Sequence, residues 1–117
     1  GIRLNRRDAY RQFLGIKGRL IIESSHEMYD VLIKDISDGG IGFICFDCNL
    51  HVEDIEHFRL NFQDNETKLS VQVLGKVIRE QNIDNNRRLF GGQICKCNIP
   101  LSEYIAIKQK LSMSRRR

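Results

Sequence analysis

At 117 residues and 13.7 kDa the chain has the size of one domain, large enough to bury about two thirds of its unfolded surface around a single core without metal or disulfide support. With 41% hydrophobic and 29% charged residues, no run near the roughly 18 apolar residues of a membrane span and no signal-peptide pattern, it reads as a globular, cytoplasmic protein. The net charge of +4 gathers at the ends: residues 1–11 carry +3 and residues 108–117 carry +5, leaving −4 on the body between them, which excludes the broad positive face of a duplex-binding protein.

The chain opens on Arg-Arg-Asp-Ala-Tyr-Arg at residues 6–11. Arg7 and Arg11 would stand about 13 Å apart in an extended segment at roughly 3.3 Å per residue, and would be neighbours in a helical turn. Either spacing suits an anion, because a guanidinium binds phosphate oxygens or the N7 and O6 edge of guanine in bidentate fashion. A solvated basic terminus is the alternative. The sequence begins on Gly1 rather than Met, which leaves open what precedes it.

Six strands follow in prediction, at 17–23, 28–36, 40–46, 57–63, 68–80 and 89–98, with short polar links. In the second, Tyr29, Val31 and Ile33 share a face that leads on to Asp35. Six strands so linked predict a mainly β fold, an antiparallel sheet closing into a small barrel. Beyond Pro100 the period changes. Leu101, Tyr104, Ile105, Ile107 and Leu111 predict a C-terminal amphipathic helix of about 20 Å, with Asn98 or Ser102 as its cap and the Arg115–Arg117 tail beyond.

The second candidate site is Asp-Ile-Ser-Asp-Gly-Gly at residues 35–40. Asp35 and Ser37, two apart, project from one face, and Gly39 and Gly40 allow close approach of backbone and positive φ. A carboxylate, a hydroxyl and bare amides suit the edge of a polar ring, and equally suit a plain hairpin turn.

Arg7-x-x-x-Arg11 followed by Asp35-x-Ser37-x-x-Gly40 at a strand exit resembles the paired signature of PilZ domains, bacterial receptors for cyclic di-GMP. The resemblance spans nearly the whole chain, and Tyr104, Ile105 and Gln109 resemble the closing helix of the flagellar-brake branch. It implies a six-stranded antiparallel barrel at 15–98, a ligand-wrapping arginine segment at 1–14 and a helix with basic tail at 99–117. It further implies that Arg7 and Arg11, with Arg6 beside them, grip phosphate and guanine, that Asp35 and Ser37 bond the other polar edges, and that Gly39 and Gly40 form the open turn. The implied role is a receptor rather than an enzyme, without cofactor, acting on an upstream domain or on flagellar or exopolysaccharide machinery. One departure stands out: the family's glycine followed three residues later by phenylalanine reads here as Gly92 and Cys95.

Other constellations carry less. Cys45, Cys48, Cys95 and Cys97 suggest a zinc site, yet their spacing is wrong for a common knuckle and incidental thiols are expected, with no metal. His26, His51 and His57 lack nucleophile partners, and Glu53, Asp54 and Glu56 read as a solvated loop or a partner-docking surface. A barrel binding single-stranded nucleic acid through exposed Phe43, Phe58 and Phe62 is the competing function, although those positions look like core; a PilZ-like interaction domain without nucleotide is a third.

Overall fold

The computed structural model describes residues 10–115. Six strands, β1 (Gln12–Ile22), β2 (Met28–Ile36), β3 (Gly40–Phe46), β4 (His57–Asp64), β5 (Leu69–Asn82) and β6 (Arg87–Cys97), close into a barrel in the order β1-β2-β3-β6-β5-β4, every pairing antiparallel. A 3₁₀ turn, Val52–Asp54, follows β3, and the helix α1 (Leu101–Arg115) follows β6. Closure in this order gives each of the six strands a hydrogen-bonded neighbour on both sides.

Alternation fills the interior. Leu20 and Ile22 of β1, Val31 and Ile33 of β2, Ile41, Phe43 and Cys45 of β3, and Phe58, Leu60 and Phe62 of β4 all point inward and are buried. Phe43 sits at the centre, edge-on to Phe58 at 5.4 Å and stacked on Phe90 at 5.6 Å. Phe43, Phe58 and Phe62 lie inside the core, so these three do not serve as the exposed stacking platforms of the nucleic-acid reading. Phe58 reaches its place because Gly75 and Gly92 have no side chains: a Cβ on Gly75 would strike the Gln93 carbonyl oxygen, and one on Gly92 would come within 2.8 Å of the Phe58 ring. Gly75→Ala therefore forces backbone apart and is expected to cost about 1–3 kcal/mol, read as a lower midpoint in urea; an unchanged midpoint would refute the packing.

Three of the four register steps shape the barrel's outer surface around residues 11, 35 and 79. β1 begins at Gln12, five residues before the predicted strand, because a bulge at Leu14 and Gly15, with Gly15 at φ +63°, carries the strand through a glycine that reads as a loop. In β2 the pairing with β3 steps over Lys34, which reverses the alternation: Val31 and Ile33 face the core, then Ile36 does, and Asp35 comes out on the surface instead of continuing the inner face. In β5 the pairing with β6 steps over Ile78, which turns Arg79 outward beside Gly91.

The C-terminal element forms as predicted and packs through most of the predicted stripe, with Leu101, Tyr104, Ile105 and Leu111 on the covered side; Ile107 departs from it and Lys108 joins it. α1 packs against β1 and buries Tyr104, Ile105 and Lys108, while Ile107 is 44% exposed. Lys108 is tolerated inside because Asp64 and Glu66 receive its ammonium at 3.1 and 2.6 Å. Asn98 does not cap the helix; its side-chain amide bonds the Gln72 N–H and the Ser70 carbonyl of β5. No helix among the described residues is long and apolar enough to cross a membrane.

Candidate functional site

Of the predicted site residues, Arg11, Asp35, Ser37, Gly39 and Gly40 fall in one place on the outside of the barrel, where the start of β1 lies against the β2–β3 turn. Arg6 and Arg7 lie outside the described residues. Arg11 Nη2 donates to Asp35 Oδ1 at 2.7 Å and Nη1 reaches Ser37 Oγ at 3.5 Å, so one guanidinium touches both polar residues of the second motif. Lys34 Nζ holds the other carboxylate oxygen at 3.2 Å. Burial opposes the ionisation of Asp35, but the hydrogen bond and charge of Arg11, with those of Lys34, outweigh it and hold the carboxyl below its ordinary range. The acceptor is thus ionised and fixed, whereas the Arg11 side chain is 45% exposed and keeps N–H groups directed at solvent.

The turn is a hydrogen-bonded loop in which the Ser37 N–H donates to the Gly40 carbonyl at 2.8 Å and the Ile94 N–H of β6 to the Gly39 carbonyl at 2.9 Å. Neither Gly39 nor Gly40 uses positive φ; among the described glycines only Gly15 does. Gly40 matters through proximity, since a Cβ there would stand 3.4 Å from Ser37 Oγ and 3.8 Å from Arg11 Nη1, while Gly39 faces open space.

Sequence reading missed the other wall. A cleft of about 320 Å³ runs from Arg11 and Asp35 across Gly42 and Gly91 to Arg79, and a smaller one of about 160 Å³ continues past Gly40 to Gly92 and Gln93. Gly42 and Gly91 are cross-strand partners, so the cleft floor between two cations is bare backbone. Substitution at Gly42 would place a Cβ 2.8 Å from Asp35 Oδ1, and at Gly91 one 2.9 Å from Arg79 Nε. The Arg79 side chain lies flat along this floor, and among the described residues it has no ion-pair partner. A planar group entering the cleft meets a guanidinium at each end, with Asp35 lying over Gly42 and Arg79 over Gly91. The only local signals were the glycine pair and an arginine in a β strand, and the bulge at Ile78 that aims Arg79 is not visible in the pattern.

Neighbouring Glu80 is committed to structure. It accepts from the Val52 N–H at 2.5 Å, His51 Nδ1 at 3.2 Å and Arg88 Nη1 at 3.1 Å, which holds its carboxyl below the ordinary range and pins the 3₁₀ turn to β5. The four cysteines do not assemble a metal site: among the described residues no three His, Cys, Asp or Glu side chains converge.

The sequence matches the model of the PilZ domain over residues 5–111, from before Arg6 to the last turns of α1. The chain belongs to the PilZ domain family. PilZ domains are receptor and regulatory modules rather than enzymes. Two solved structures share the fold: the inhibitor of motility MotI/DgrA of Bacillus subtilis, at TM-score 0.75 and 20% identity over 99% of this chain, and the PilZ domain with c-di-GMP of YcgR from Escherichia coli, at TM-score 0.67 and 12% identity over 96%. The chain spans 56% of the MotI/DgrA chain and 94% of the YcgR domain. A comparison with curated proteins gives no match. As a PilZ domain the chain departs from the pattern on β6 in an instructive way. Cys95 is exposed at a step in the β5 register, and Ile94, three residues after Gly91, packs against the core instead.

Proposed function

We propose that this PilZ domain is a cyclic di-GMP receptor whose ligand lies on the outside of the barrel, between Arg11, Asp35 and Ser37 on one side and Arg79 on the other. The observation that carries the reading is the Arg11 guanidinium seated on Asp35 and Ser37 at the rim of a glycine-floored cleft. Cyclic di-GMP is a dianion with two guanines, so it needs cations for its phosphates and base edges and an anionic acceptor for the guanine N1 and N2 donors. Arg11, Arg79 and the fixed carboxylate of Asp35 meet those needs, and Arg6 and Arg7 add cations from the preceding segment. The YcgR domain, whose structure contains c-di-GMP, shares the fold and supports the assignment. Gly39 and Gly40 keep the rim open.

Binding then closes the arginine-bearing segment onto the barrel and alters the surface offered to a neighbouring domain or partner, in the cytoplasm, with motility or exopolysaccharide output. The inhibitor-of-motility relative, which is longer than this chain, supports motility as the first output to examine. The test is calorimetric titration with cyclic di-GMP beside cyclic di-AMP. Saturable binding of the first and much weaker binding of the second are expected, because adenine puts an amino donor where guanine presents O6 to arginine; equal binding of both, or of neither, contradicts the proposal.

The bare floor supplies a separate check. Gly91→Ala lifts Arg79 off the sheet and is expected to weaken cyclic di-GMP binding several-fold while changing the unfolding midpoint little, since only a flexible side chain gives way. An affinity equal to wild type would exclude Arg79 from the site.

A further inference from the structure

The first residues of β1 face two ways. Arg11 points outward to Asp35 and Ser37, and Gln12, only 3% exposed, turns in towards α1. Both ends of the Gln12 amide are engaged. Its Oε1 accepts from the Tyr10 hydroxyl at 2.7 Å, and its Nε2 donates to the Phe13 carbonyl at 2.9 Å and to Ser112 Oγ at 3.3 Å. A buried amide in this position is stable only while those partners stay in place.

The helix is held differently at its two ends. Its first turns are locked to the barrel by the buried group of Asp64, Tyr104 and Lys108. Its last turn rests on Ser112 against Gln12 and on Arg115, which bonds Glu66 and reaches Ser112 Oγ at 3.2 Å from the exposed side. The seat of that turn therefore depends on where residues 10–12 lie, and those residues include a site arginine.

We propose that Gln12 is a positioning residue for Arg11 and that, through its bond to Ser112, ligand occupancy at the Arg11–Asp35 site is coupled to the last turns of α1. The coupling rests on the cyclic di-GMP reading. A ligand that fixes Arg11 fixes Gln12 beside it, and Gln12 then favours the seated position of Ser112. By linkage, the seated helix favours the arrangement of Arg11 that binds ligand. The ligand-responsive surface is then the outer side of the last turns, where Met113 is exposed.

Hydrogen exchange and calorimetry on the intact chain, with cyclic di-GMP as the probe, test the coupling. In wild type, saturating nucleotide is expected to slow exchange of the amides at 109–114 several-fold. Gln12→Leu and Ser112→Ala are each expected to weaken binding by about 2- to 12-fold, the span of a neutral hydrogen bond, and to abolish the slowing even at saturation. Ser112→Thr, which keeps the hydroxyl, is expected to restore both. Should Gln12→Leu not fold, Ser112→Ala on the half-buried last turn carries the comparison alone. Wild-type binding with unchanged helix exchange, or a full response in Ser112→Ala, overturns the coupling alone. No binding by wild type overturns the site reading and the coupling together.

Discussion

Asp64→Ala is expected to destabilise the domain by about 3–5 kcal/mol, the largest stability effect of any single substitution considered. Asp64 ends β4 with its side chain 1% exposed and serves two structures at once. Its Oδ1 accepts the Glu66 and Thr67 N–H groups at 2.9 and 3.2 Å and closes the β4–β5 turn. Its Oδ2 accepts the Tyr104 hydroxyl at 2.6 Å and the Lys108 ammonium at 3.1 Å and fixes the helix. Removing it leaves a buried hydroxyl unpaired and a buried ammonium with Glu66 as its remaining carboxylate. The same site fixes the sign of the pH dependence. Burial opposes ionisation of Asp64, but the bonds from Tyr104, Lys108 and Thr67 outweigh it and lower the carboxyl below its ordinary 3.8. A lowered folded value means that the stabilisation is complete above that ordinary value and is lost as pH falls below it through the folded value. The gap between wild type and Asp64→Ala in urea midpoint should therefore hold steady from about pH 5 to 8 and shrink under acid. A gap that persists undiminished at pH 2, or no gap at neutral pH, contradicts the account.

Arg11→Ala is expected to weaken cyclic di-GMP binding by roughly 10- to 150-fold, the equivalent of one charged hydrogen bond at about 1.5–3 kcal/mol. Stability should barely follow. Arg11 is 45% exposed, so its bond to Asp35 is solvent-screened and contributes at most about 1 kcal/mol to the unliganded fold. Loss of affinity with a nearly unchanged melting curve separates a ligand contact from a structural one; a large drop in both would assign Arg11 to the fold instead.

The bounds of β2 and β3 were legible because Met28–Ile36 and Gly40–Phe46 are short runs of β-branched and aromatic residues set off by turn chemistry. The grouping of Arg11 with Asp35 and Ser37 was legible only by joining two distant motifs through a family resemblance, since nothing local brings residue 11 to residue 35. What escaped depends on pairing between strands. The extra residue at Lys34 moves Asp35 to the outer face, and the one at Ile78 does the same for Arg79, and a bulge leaves no mark in a two-residue period. The helix was assigned correctly in place and in most of its face; the exceptions are Ile107, which is exposed, and Lys108, because a lysine reads as solvent-facing until Asp64 and Glu66 are seen to surround it. The glycines behaved likewise. Gly39 and Gly40 attracted notice as a turn, whereas Gly42 and Gly91 become a floor only once β3 lies beside β6.

The most direct test of the central claim is one calorimetric titration of cyclic di-GMP into the wild-type chain and into Arg11→Ala. Saturable binding by wild type, weakened by about one to two orders of magnitude in the variant, is the expected result. Equal affinity in the two proteins, or no heat from wild type, would contradict a nucleotide site between Arg11 and Asp35.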